Sequence, residues 1–248
     1  MKILKDIVYK TVDGESLALD IYLPQAEKFS TFVFFHGGGL EAGDKDSAEI
    51  FTSYLADNGI ATVSVNYRMY PKAKYPDFLL DSADAVKYVF DNINKYGSCD
   101  KIFVGGSSAG GYISMMLCFD ERYLIACDMK PTDIAGYFHN AGQPTAHYNV
   151  LRERGIDTRR VIVDESAPLW HVSAKNYSPM IFVVAENDMV NRYEQTQLMM
   201  STLAAFGHRD KVSYKFIKGK YHCQYDGERD EDGVSTLGRM IVDFIKEN

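Results

Sequence analysis

Basic charge is in short supply in this chain. Its 27 lysines and arginines face 34 aspartates and glutamates, a net charge of -7 over 248 residues. That balance removes the grounds for expecting nucleic acid as a partner, or an anionic membrane surface. Cysteine is also sparse: Cys99, Cys118, Cys127 and Cys223 stand apart with no C-x-x-C spacing. Neither a zinc site nor a disulfide framework is suggested, and the four read as reduced thiols. No cluster of His and carboxylates has ligand spacing, so no metal and no cofactor is expected. Long apolar runs are missing too, since none approaches the roughly 18 residues of a membrane span. The opening MKILKDIVYKTVDGESL is broken by charge and glycine before a signal-peptide core could form. A cytoplasmic, intracellular protein is the expectation. With no internal repeat and no low-complexity linker, residues 1–248 read as one domain, whose 46% hydrophobic content suffices for one sizeable core. Nothing in the pattern sets an oligomeric state.

What is present alternates between two periods. Ile7 to Thr11 and Leu17 to Leu23 are β-prone runs joined across Asp13-Gly14, an antiparallel hairpin signal. Thr31 to Phe35, Ile60 to Val65 and Met180 to Ala185 are continuous apolar runs, as expected of strands buried on both faces. Ile102 to Val104 is a shorter run of that kind. Ile134 to Phe138 and the alternating Val212 to Ile217 are two further strands. Helical spacing fills the intervals at Ser47 to Asn58, Asp77 to Asn94, the stretch through Leu117, Tyr193 to Phe206 and Asp232 to Lys246. Strands alternating with helices imply an α/β fold with parallel pairing. Residues 141 to 178 show no sustained period and carry His147, Tyr148, Trp170 and His171. An insertion there, before the seventh strand, would form a lid or pocket wall over the carboxyl ends of the strands, where open α/β sheets bind ligands.

Chemistry concentrates at Lys101 to Leu117, KIFVGGSSAGGYISMML. Gly106-Ser107-Ser108-Ala109-Gly110 has the G-x-S-x-G pattern of a strand turning sharply into a helix with a serine at the apex. Side chains two residues either side of that serine would collide with each other and with neighbouring strands, which is why glycines belong there. Ser108 is the candidate nucleophile, and the helix after it aims free N–H groups and its positive dipole end at a developing oxyanion. A second glycine cluster, His36-Gly37-Gly38-Gly39, ends the strand Thr31 to Phe35. Its backbone can approach a ligand closely and present unobstructed N–H groups, as an oxyanion hole requires.

A serine hydroxyl needs a histidine to take its proton, and that histidine works best when a carboxylate orients it. Ser108, Asp188 and His222 occur in the order Ser, Asp, His, each following a strand pattern, and this is a known triad order. Five other histidines compete. His36 is better placed to shape the glycine loop; His208 precedes a strand and so lies at the wrong end of the sheet; His139, His147 and His171 fall in or beside the insertion, where substrate contact or a surface role is expected. Glu186 competes with Asp188 but sits nearer the strand end, where it would orient the loop. The acidic run Asp226 to Asp232 reads as a solvated loop.

Five motifs together carry a resemblance: HGGG at His36 to Gly39, NYRMYP at Asn66 to Pro71 with the later Tyr75-Pro76, GSSAGG at Gly106 to Gly111, END at Glu186 to Asp188, and His222. In this order they resemble the α/β-hydrolase fold, and within it the hormone-sensitive-lipase-like carboxylesterases and the acetyl and feruloyl esterases similar to them. The resemblance implies a mostly parallel eight-stranded sheet with helices on both faces. It also implies Ser108 as nucleophile, His222 as general base and acid, Asp188 as orienting acid, and the N–H groups of Gly38, Gly39 and Ala109 as the oxyanion hole. Ser107 departs from the pattern, since the lipase-like branch usually has Asp before the nucleophile. The expected activity is hydrolysis of small-molecule carboxylic esters with a short, acetyl-type acyl group through an acyl-enzyme, with acetylated carbohydrates as one substrate class. Two alternatives stand beside it: an amidase of the arylformamidase kind, which uses the same loop and triad, and a hydrolase-fold binding protein without catalysis.

Overall fold

Two positive backbone angles start the fold. Asp13 and Gly14, at φ 51 and 80, close a tight hairpin between β1 (Lys2–Val12) and β2 (Glu15–Leu23), in which Val12 pairs with Glu15. The computed structural model describes residues 1–248, and this hairpin forms the antiparallel edge that the sequence pattern predicts. The remaining strands are β3 (Lys28–Phe35), β4 (Ile60–Val65), β5 (Ser98–Ser107), β6 (Gly136–Asn140), β7 (Met180–Asn187) and β8 (Val212–Tyr221). They assemble into one eight-stranded sheet in the order β1-β2-β4-β3-β5-β6-β7-β8. β2 pairs with β4 antiparallel, and every pair from β4 to β8 is parallel.

The helices are α1 (Glu49–Asp57), α2 (Asp77–Asn92), α3 (Ala109–Phe119), the single turn α4 (Arg122–Ile125), α5 (Tyr148–Glu153), α6 (Arg192–Ala205) and α7 (Thr236–Glu247). Strand alternation sends successive side chains to opposite faces. Phe32 and Phe34 of β3 therefore join Phe51 of α1 and Phe244 of α7 in one apolar layer, while Val33 and Phe35 join Val86 of α2 and Met116 of α3 in the other. Both layers are closed, which explains why β3, β4 and β7 read as unbroken apolar runs. No helix is long and apolar enough to cross a membrane.

Element ends move where burial changes. β5 extends back to Ser98, because its first four residues are polar and largely exposed and carry no apolar signal. β6 begins at Gly136, two residues beyond the start that the pattern suggests. α7 begins at Thr236 rather than Asp232: Ser235 caps it by accepting from the N–H of Gly238 at 3.1 Å. The segment 141–178 holds α5 and a 3-10 turn at Pro168–His171.

Chain order reverses direction at β3. β4 lies on one side of β3 and β5 on the other, with Phe35 opposite Gly106 in register. This switch point leaves a crevice at the carboxyl ends of β3 and β5. The glycine loop and the serine turn both open into it.

Candidate active site

Ser108 sits at the end of β5 with φ 56 and ψ -111, a conformation that L residues avoid. The surroundings enforce it. Its N–H donates to the carbonyl of Asn140 at 2.8 Å, and its carbonyl accepts from Tyr112 at 3.0 Å in α3. Room for the turn exists because of the flanking glycines: a Cβ on Gly110 would stand 1.8 Å from the carbonyl oxygen of Phe35, and one on Gly106 would stand 2.5 Å from both that oxygen and the Gly110 backbone. The collision argued from the sequence is therefore the actual constraint.

From this turn Ser108 Oγ reaches His222 Nε2 at 2.8 Å, and His222 Nδ1 donates to Asp188 Oδ1 at 2.5 Å. Asp188 follows β7 and His222 follows β8, so the ends of β5, β7 and β8, with β6 between the first two, bring the candidates together. The Asp188 side chain is 1% exposed. Burial pushes its pKa up, but the hydrogen bond from His222, the charge on that ring and the N–H of Met189 outweigh burial and hold the carboxyl below its usual range. Asp188 thus stays a carboxylate, able to hold His222 with Nε2 facing the serine.

The glycine loop closes the other side. A Cβ on Gly37 would lie 3.3 Å from the Cβ of Ser108. Gly38 and Gly39 take φ 109 and 67, which non-glycine residues rarely adopt. The N–H groups of Gly38, Gly39 and Ala109 have no acceptor in the protein, so three donors flank Ser108 uncommitted. His36 shapes this loop, as expected. Its Nδ1 bonds the Gly37 carbonyl at 2.7 Å, its own carbonyl accepts from Tyr67 at 2.8 Å, and its ring stacks on Tyr67 at 4.5 Å.

A candidate nucleophile, a hydrogen-bonded Ser-His-Asp chain and a loop of free N–H groups at one switch point call for comparison with known proteins. The family model BD-FAE matches residues 19–203, which contain the glycine loop, the serine turn and Asp188. This chain belongs to the BD-FAE family. Probable carboxylesterase 1 of Arabidopsis thaliana is 34% identical over 98% of the chain and 86% of its own length. Probable carboxylesterase 7 of the same plant is also 34% identical, over 50% of the chain, and that match spans 44% of the relative's length. In fold the chain resembles a truncated carbohydrate esterase from gut microbiota, with a TM-score of 0.79, 17% identity and coverage of 100% and 96% of the two chains. It also resembles esterase 2 of Thermogutta terrifontis, with a TM-score of 0.74, 22% identity and coverage of 98% and 89%. These likenesses establish an α/β-hydrolase fold.

In this BD-FAE chain several histidines differ from their expected roles. His139 and His147 are each 1% exposed. His139 bonds Ser114 Oγ at 2.8 Å, and burial pushes it down to about 3. His147 caps α5 by accepting from the N–H of Asn149 at 3.2 Å, and burial likewise drives it well below the ordinary histidine range. Both are neutral packing groups rather than surface residues, a consequence of how tightly residues 136–151 press against α3. His208 bonds the carbonyl of Ser173 at 2.7 Å, away from the site. Glu186 accepts from the N–H of Gly219 at 2.7 Å and so orients the loop, while Asp188 is the carboxylate that bonds His222.

Sequence reasoning missed the groups that tie this site together. Asn140 has its Nδ2 within 2.8 Å of both Ser107 Oγ and Asp226 Oδ1, while its Oδ1 accepts from Tyr225 at 2.5 Å. Asp226 is therefore a bonded network member, not part of a solvated run. Burial pushes its carboxyl up to about 6, against the hydrogen bonds from Ser107 and Asn140. Asn149 Nδ2 anchors the glycine loop through the Gly39 carbonyl at 2.7 Å, and the Tyr148 hydroxyl occupies the space a Cβ on Gly39 would need. Only the register Ser107 opposite Asn140 held a clue, and it requires the strand pairing to be known.

Proposed function

We propose that this protein is a serine carboxylesterase that hydrolyses esters of short acyl groups. The observation that carries the reading is the continuous relay from Ser108 Oγ through His222 to Asp188, at 2.8 and 2.5 Å, beside three uncommitted backbone N–H groups. Ser108 Oγ gives its proton to His222 Nε2 and attacks the carbonyl carbon, and the tetrahedral oxyanion takes hydrogen bonds from Gly38, Gly39 and Ala109. Collapse breaks the bond to the alcohol, which leaves with the proton from His222. Water then attacks the acyl-enzyme, its proton passing through His222 back to Ser108 as the acid departs. The carboxylesterase names of relatives 34% identical support the ester class. A short acyl group fits the crowding of Gly39 by Tyr148, and a polar alcohol such as a sugar fits the amides of Gln143, Asn191 and Gln195 nearby.

Hydrolysis of p-nitrophenyl acetate, butyrate and octanoate by the wild type and Ser108→Ala tests this. The expected result is a rate that falls with acyl length and drops by about 10⁴-fold or more in the variant. Undiminished turnover by Ser108→Ala would overturn the mechanism. Turnover of N-formyl aromatic amides without any ester turnover would replace the ester reading with the amidase.

A further inference from the structure

Beyond Asp188 lies a cavity of about 620 Å³, walled by the insertion on one side and the start of α6 on the other. Its lining holds Arg159, Arg160 and Arg192 and no aspartate or glutamate. In a chain of net charge -7, that concentration of one sign is the reverse of the average. Arg192 is 3% exposed. Its guanidinium donates to the carbonyl of Ala141 and, at 3.4 Å, to Gln143 Oε1, both uncharged acceptors, and it forms no ion pair. Asp188 is the carboxylate whose field reaches it, yet Asp188 is already held by His222 and the N–H of Met189. Burial accordingly pushes the guanidinium below its ordinary range. At the rim Arg159 is paired with Asp157 at 2.6 Å, whereas Arg160 is exposed and has neither an ion pair nor a side-chain hydrogen bond.

The cavity shares two of its walls with the candidate site. Tyr148 lines it and presses its hydroxyl against Gly39 of the donor loop. Met189 lines it and bonds Asp188 through its N–H at 2.7 Å. An ester held at Ser108 and long enough to extend past Tyr148 would meet the arginines.

We infer that this cavity takes a carboxylate carried by the substrate, so that the preferred esters bear an anionic group a few bonds from the scissile carbonyl. The inference rests on the ester-hydrolase reading above. A guanidinium offers two parallel N–H groups matched to a carboxylate, and a desolvated one lacking a counter-ion gains most from such a partner. Arg160 would meet the same anion at the cavity mouth, and Gln143 and Gln195 would serve the neutral hydroxyls beside it.

Matched ester pairs test the inference on either side of the scissile bond. On the acyl side, mono-p-nitrophenyl adipate is compared with p-nitrophenyl hexanoate; on the alcohol side, 4-acetoxybenzoate is compared with 4-acetoxybenzamide. In at least one pair the anionic member should have a kcat/KM about tenfold higher, and added salt should shrink the preference. Arg192→Met should bring the anionic-to-neutral ratio to about one, and Arg160→Gln should lower it about threefold. Arg160 lies at the exposed rim, so its variant reports on charge even if Arg192→Met fails to fold. A wild-type ratio of one or below in both pairs, or a ratio unmoved by Arg160→Gln, overturns the inference. No turnover of any of the four esters overturns the ester reading itself, and the inference with it.

Discussion

The two ends of the proton relay are held in different ways. Ser108 ends β5, a strand flanked on both sides and buried from Ile102 onward, and its turn is fixed by backbone packing that tolerates no side chain at Gly106 or Gly110. His222 follows β8, an edge strand with Tyr214 and Phe216 at 37% and 40% exposure, where a Cβ on Gly219 would meet nothing within 4 Å. Steric exclusion locates the candidate nucleophile, and the hydrogen bond that Asp188 accepts from His222 locates the candidate base. A site held by exclusion fails all at once when crowded, whereas one held by hydrogen bonds loses its alignment bond by bond.

The largest expected effect lies at the hydrogen-bonded end. Asp188→Asn keeps the volume but offers His222 Nδ1 an amide, which favours the wrong tautomer, and kcat for an ester should fall about 10⁴-fold with little change in melting temperature. A loss under tenfold in steady-state kinetics would show that another group orients His222. At the steric end the expected damage is to the fold. Gly110→Ala places a methyl 1.8 Å from the Phe35 carbonyl oxygen and should cost about 3 kcal/mol or more, or abolish soluble expression. Gly219→Ala, whose cost is confined to φ 73, should lose about 1–2 kcal/mol. Urea denaturation of the two variants compares the ends directly, and equal losses would break the contrast.

That contrast also decides what the sequence could show. Steric exclusion writes itself into residue identity: glycines at 106, 110, 38 and 39 stand where no Cβ fits or φ is positive, and buried strands appear as apolar runs. The parallel alternation of strands and helices, the edge hairpin and the serine turn could therefore be read from the chain, whereas the sheet order, with β3 between β4 and β5, could not. Hydrogen-bonded support leaves no such mark, because an Asn or Asp looks the same in solvent as in a network. Asn140 and Asp226, 86 residues apart, meet only because β6, β7 and β8 are paired as they are. Arg192 likewise stands one residue before the helix that the spacing marks at Tyr193, and its burial at the head of α6 shows only in the fold.

Asp226 gives the hydrogen-bonded end its own pH signature. Burial raises its folded-state value to about 6 from an ordinary 3.8. A carboxyl raised on folding binds its proton more tightly in the native state, so its stabilising contribution is complete below about pH 4 and is lost as pH rises through 6. Asp226→Asn should remove that slope, leaving the variant about 1–3 kcal/mol more stable than wild type at pH 7.5 and no more stable at pH 4, after allowance for partial exposure. Parallel stability curves for the two proteins across that window would place Asp226 in ordinary solvent.

The smallest expected effect belongs to the steric end, and its sign carries the information. At ordinary positions a glycine variant is about 0.5–1 kcal/mol less stable than the alanine variant, because glycine loses more freedom on folding. Ser108 is held at φ 56 and ψ -111, where any Cβ is strained by about 1–3 kcal/mol. Both Ser108→Ala and Ser108→Gly lose the 2.8 Å bond to His222 and the hydrolytic activity that depends on it, so comparing them isolates the backbone. Ser108→Gly should then be the more stable of the two by about 1 kcal/mol, inverting the usual order. The usual order, alanine above glycine in paired urea melts, would mean that the turn stores no strain and that hydrogen bonds hold Ser108 as they hold His222.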